Sequence, residues 1–176
     1  MSDADLAALE GQFASWVEEA LSLRFEVDPA GGYQLLLPPS ESPPQVVLDS
    51  LIHVRQRLDR VEGILASVQR AVGRVARILS AKKFEFEGAW DEAVRSQRSR
   101  PARGSGDGFV APRERYAEAN LETLLVRREL HRLELLAQSG ETALSTVRLC
   151  HRGLNSLRED HGMMLRAMGI GSRLES

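Results

Sequence analysis

A single cysteine, Cys150, occurs in the 176 residues, so the chain cannot form an internal disulfide and has no thiol pair to seat a metal. Aromatic residues reach only 5%, while leucine, alanine, arginine and glutamate dominate, a composition that favours helix. No apolar run approaches the roughly 18 residues of a membrane span, and no basic-then-apolar leader opens the chain. The expectation is a cytoplasmic protein that does not enter a membrane. Neither His-Glu-x-x-His nor Cys-x-x-Cys occurs, and the four histidines are scattered singles. No catalytic constellation can be read from the spacing, so the expectation is a non-enzyme without cofactor or metal.

What is present is charge, unevenly placed. Residues 1–42 hold eight acids and one base, Arg24, a net −7, while the remainder carries +5. Such a division points to a charged partner, to two mutually attracting parts of one molecule, or simply to an acidic solvated helix.

The first apolar pattern steps by three and four through Leu6, Leu9, Phe13, Trp16, Ala20 and Leu23, which predicts a short amphipathic helix from about Asp3 to Leu23. The period then changes. Two short apolar runs flank Asp28-Pro29-Ala30-Gly31-Gly32, the signature of a small β-hairpin, and Pro38, Pro39, Pro43 and Pro44 stiffen the exit. Residues 1–42 thus form an N-terminal appendage.

Ser42-Pro43-Pro44-Gln45 marks a helix start, with serine as cap and proline in the first turn. Beyond it Val47, Leu51, Val54, Leu58, Val61, Leu65, Val68, Val72, Val75 and Leu79 alternate steps of four and three without a miss. A strict 3.5-residue repeat keeps one seam toward a partner helix and favours a left-handed supercoil. Lys82 then interrupts the seam, and Phe86, Ala89 and Ala93 carry it on. A second repeat runs from Thr123 through Leu130, Leu133, Leu144, Val147, His151, Leu154, Arg158, His161 and Leu165 to Met168. Gln138-Ser139-Gly140-Glu141 predicts a kink, and Gly169 before Ile170 a helix stop of the Schellman kind.

The fold class expected is therefore all-α, a long antiparallel coiled-coil helical hairpin with a short N-terminal helix. Residues 43–97 form the first long helix, 98–111 a basic loop, 112–168 the second long helix and 169–176 a tail. Residues whose numbers sum to about 208 should face each other, placing Val54 near Leu154 and His161 near Val47 and Asp49. Lys82 and Arg158 should fix register against Glu122 and Asp49.

Two sets of residues are candidates for binding. Ile64, Ala71, Ile78, Leu135, Leu149, Leu157, Met163 and Met164 widen the apolar face beyond the stripe two helices need, which implies self-association or a protein partner. Arg95, Arg98, Arg100, Arg103, Arg113 and Arg115 cluster around the glycine-rich connector, against Asp107 and Glu114. Arginine suits bidentate phosphate contact, and Phe109 and Tyr116 offer stacking surfaces. Nucleic-acid contact, protein docking and a plain soluble connector all remain open for that stretch.

The stretches FEGAWDEAVRSQ and RERYAEANLETLLVRRELHRLE resemble small coiled-coil proteins of actinobacteria and their phages, over about residues 50–168. The resemblance implies a phage-related or DNA-metabolism accessory and transfers no activity.

Overall fold

The apolar repeat that begins at Val47 folds as helix throughout. The computed structural model describes residues 3–27, 33–34, 38–98 and 112–170, and these are almost all helical. Helix α1 spans Asp3–Arg24, α2 Pro44–Arg98, α3 Pro112–Glu122 and α4 Leu124–Ala167. Between α1 and α2 two residue pairs meet antiparallel, Glu26 opposite Gln34 and Val27 opposite Tyr33. The turn expected at Asp28–Gly32 lies outside the described residues.

Local chemistry explains the boundaries. The carbonyl of Pro43 accepts the first α2 bonds, from the Val46 and Val47 amides at 3.0 and 3.3 Å, so Pro43 rather than Ser42 is the boundary residue. At the far end of α4, Gly169 has a φ of +76°. Its amide donates to the Arg166 carbonyl and the Ile170 amide to the Leu165 carbonyl, both at 3.0 Å. That is the reciprocal pair of a Schellman stop, as the Gly-Ile text predicts.

The second long segment is two helices, and the break falls at Thr123 instead of near Gly140. The Thr123 hydroxyl donates back to the Ala119 carbonyl at 2.8 Å, alongside its own amide at 3.0 Å. Such back-bonding bends a helix locally. Gly140 is buried in the middle of α4, which passes through Gln138–Glu141 without interruption.

The chain divides into two compact units. Unit 1 comprises residues 1–71 and 139–176; unit 2 comprises 72–138. In unit 1 the start of α2 and the end of α4 run antiparallel: Ser50 meets His161 at 2.8 Å and Glu62 meets His151 at 3.2 Å. The pairing is displaced by about one helical turn from the expected register, so that Val47 and Leu51 share a cluster with Leu165. Val54, Val61, Val68, Val147 and Leu154 are sealed from solvent along the seam.

Helix α1 is the third wall of unit 1. The Arg57 guanidinium donates to the Leu23 carbonyl at 3.2 Å, and Arg60 meets Glu19 at 2.7 Å. Those contacts set α1 antiparallel to α2 over the stripe Arg57, Arg60, Ile64, Ser67, Ala71, whose three- and four-residue steps share one helix face. Phe13 and Ala20 are buried on α1, with Trp16 edge-on to Phe13 at 5.9 Å. At its end the Arg24 side chain lies beside Gly153, where an added Cβ would come within 2.8 Å of Nε. Burial pushes the neighbouring Cys150 thiol above its ordinary pKa, and the Arg24 charge and hydrogen bond only partly oppose that. A buried, protonated thiol of this kind is inert.

In unit 2, α2 from Val72 onward pairs with the first turns of α4. The Lys82 ammonium meets Glu129 across the helices and Glu85 on its own helix at 3.0 Å, and these two carboxylates, Glu129 first, raise its pKa. Glu122, the partner expected for Lys82, is not the residue found there. Lys83 reaches Glu134 at 3.6 Å.

Candidate functional site

The eight residues expected to form an oligomer face separate into covered and open sets. Ile64, Ala71 and Leu157 are buried within unit 1, the first two on the stripe that α1 crosses. Met164 packs against the Val47–Leu51–Leu165 cluster, and Ile78 is half-buried. In unit 1 the third helix and the shifted seam occupy the breadth left for a partner, while Ile78 lies in unit 2. Leu135, Leu149 and Met163 remain more than half exposed.

Exposure is unevenly spread. In unit 1 the open apolar side chains, among them Val46, Ile52, Leu149 and Met163, stand on different helix turns, an ordinary surface. In unit 2, apart from Phe84 on α2, they gather: Tyr116, Leu121, Leu124, Leu125 and Leu135 lie on α3 and the start of α4, with Leu121 and Leu125 each 72% exposed. Leu125, Arg128, Arg132 and Leu135 step by 3, 4 and 3 on α4, an outward stripe of heptad spacing, and exposed Leu121 stands four residues before Leu125 across the Thr123 break. Sequence reasoning does not single out Leu121 and Leu125, because leucines off the Thr123–Leu130 seam carry no local signal of whether they are exposed.

Beside this stripe, and wholly within unit 2, lies an open groove of about 860 Å³. Phe86 and Trp90, four apart on α2, form one side; Asn120 of α3 and Leu124, Arg127, His131 and Glu134 of α4 form the other. Arg128, Leu130 and Arg132 complete the lining. The rings make a ladder. Trp90 lies 6.4 Å from Phe86 at an interplanar angle of 28° and 6.2 Å from Tyr116 at 10°. These are offset stacks, which leave part of each ring face open. Arg127 is steadied by Asn120 at 3.2 Å, while Glu134 is occupied by Lys83 and lies 3.9 Å from His131. The groove therefore sets two aromatic rings on its α2 side against a predominantly cationic α4 side.

The described members of the arginine cluster predicted from sequence belong to the same unit. Arg95 is exposed on α2, Arg98 closes that helix, and Arg113 and Arg115 stand in the first turns of α3. Arg100, Arg103 and Phe109 lie outside the described residues. Tyr116, named as a stacking surface, is half-exposed and stacked on Trp90. The histidines are not brought together. His161 is buried against Ser50, not Asp49, whose carboxylate instead accepts from Gln45 at 3.0 Å. His53 is exposed, and Asn155 lies beside His151. Arg158 is exposed and the seam passes through Leu157. Among the described residues no group of three or more ligating side chains could hold a metal ion, and no helix is long and apolar enough to cross a membrane.

No protein-family model, curated protein or solved structure matches this chain.

Proposed function

We propose that the chain is a non-enzymatic helical interaction protein that self-associates, with supercoiled helix pairing along its heptad seams. The observation that carries the reading is the stripe Leu125–Arg128–Arg132–Leu135, exposed and of heptad spacing, with exposed Leu121 before it. Leucines open to water at that spacing lose solvent contact most readily against another helix, about 1.5–3 kcal/mol for each one fully covered. Its resemblance to small coiled-coil proteins of actinobacteria and their phages accords with such a role. Sedimentation equilibrium at micromolar concentration should give a mass above that of one chain. The double variant Leu121→Glu/Leu125→Glu should return it to the monomer mass with helix content unchanged. A parent protein sedimenting as one chain removes self-association.

A second reading is favoured by the aromatic ladder. Trp90 lies two turns before Arg98 and Tyr116 one turn after Pro112, so stacking surfaces flank the arginine-rich stretch at residues 95–115. In this reading the chain is a nucleic-acid-binding accessory of recombination, replication or packaging. Oligonucleotide binding should fall steeply with salt and weaken by about tenfold when Arg98, Arg100 and Arg103 become alanine. Binding unchanged by that triple substitution takes those arginines out of the contact.

A further inference from the structure

We infer that the unit 2 groove between Phe86 and Trp90 on one side and Leu124, Arg127 and His131 on the other is a binding site for single-stranded nucleic acid. The inference rests on the second reading and adds its site and ligand class. Three features of the groove meet in that ligand. Its volume of about 860 Å³ lies within the roughly 300–1,000 Å³ of ligand sites, large enough for bases rather than a bare phosphate. Its α2 side carries the Phe86 and Trp90 rings in an offset stack, and half-exposed Tyr116, outside the lining, stacks on Trp90. Every base has a π-face to set against such a ring, which makes stacking tolerant of sequence.

The α4 side supplies the other half. Arg127, Arg128 and Arg132 line the groove with one carboxylate, Glu134, and that carboxylate is held by Lys83. Guanidinium groups match phosphate oxygens in a bidentate fork. A duplex is a poorer occupant, because its base faces are already stacked and only its backbone could reach the arginines. An acidic amphipathic peptide would satisfy the arginines and the leucines, yet it makes no use of a three-ring ladder.

The sequence provides its own reporter, since its two tryptophans are Trp16, on α1 in unit 1, and Trp90 in the groove. Full-length Trp16→Phe protein therefore fluoresces from Trp90 alone. Titrated with a single-stranded deoxythymidine 12-mer at low salt, it should show quenching, with the 12-base-pair duplex binding at least tenfold more weakly. Arg127→Ala/Arg128→Ala/Arg132→Ala, all at exposed helix positions, should weaken the single strand by about tenfold or more and flatten the log-log salt slope by about two. Its sedimentation mass, read alongside, separates loss of the site from loss of assembly.

Binding that leaves Trp90 unquenched and survives the groove triple, but disappears with Arg98→Ala/Arg100→Ala/Arg103→Ala, overturns the groove while sparing the second reading. Absence of oligonucleotide binding overturns both. Quenching by a helical acidic peptide and not by the 12-mer overturns the nucleic-acid assignment in favour of a protein occupant.

Discussion

Leu154→Ala lowers the unfolding free energy by about 3 kcal/mol, and Leu154→Asp by more than that, enough to leave the chain unfolded at room temperature. Leu154 is fully buried on α4 in unit 1, so truncation removes its transfer free energy and leaves a void that the two flanking helices cannot close without moving their own seams. An aspartate there adds an unpaired carboxylate away from water. Because a whole domain is stable by only about 5–15 kcal/mol, the second substitution approaches the total. Urea titration followed by circular dichroism measures both. Arg158→Ala is the matched control: the side chain is exposed, and its removal should change stability by less than about 0.5 kcal/mol. Leu157→Ala, at a buried position one residue earlier, should cost about 2 kcal/mol or more. An Arg158 effect exceeding that of Leu157 would contradict the observed seam and restore the strict heptad register.

That contrast shows how far the sequence could be read. Valine and leucine at strict 3.5-residue spacing announced the helices, and Gly169 announced its own stop, because both signals are local. Lys82 was recognisable as a polar seam residue, but its carboxylate partners were not, since Glu122 and Glu129 are both acids on the facing strand of text and only register chooses between them. Register depends on the α2–α4 connection, and the rotation of each helix about its own axis decides whether Leu157 or Arg158, and Ser50 or Asp49, turns toward the seam. Ile64 and Ala71 posed a different problem. Their breadth demanded cover, and sequence could not decide whether α1 or another molecule provides it; Arg57 and Arg60, reaching Leu23 and Glu19, assign the cover to α1.

The groove was less legible still. Phe86 and Trp90 read as ordinary members of a helix, and Arg127, Arg128 and Arg132 as solvated charge. Nothing in their spacing indicates that Tyr116 stacks on Trp90, because that contact joins helices separated by the arginine-rich stretch. The helix start at Pro112 was predictable; the face it would present was not. Binding sites built from two helices depend on a register that neither helix encodes alone.

His161→Ala should cost about 3 kcal/mol, whereas Ser50→Ala should cost about 1 kcal/mol. His161 has no exposed surface, and its ring fills a place in the seam where the pattern calls for leucine. A backbone carbonyl can only accept, so the 2.6 Å contact from Nδ1 to the Leu157 carbonyl puts the proton on Nδ1. Nε2 is then the acceptor for the Ser50 hydroxyl at 2.8 Å, across from α4 to α2. Alanine at 161 removes the ring volume and both hydrogen bonds; alanine at 50 removes the bond to the ring from a half-buried site. The double variant should fall short of additivity by about 1 kcal/mol, the coupling expected of one direct contact. His161→Leu separates the contributions, since it restores most of the volume and neither bond, and should recover about half of the alanine loss. If His161→Leu is instead more stable than the parent, the histidine is not there for stability, and its hydrogen bond to Ser50 serves to select one register of α2 against α4, as single buried polar residues do in coiled coils.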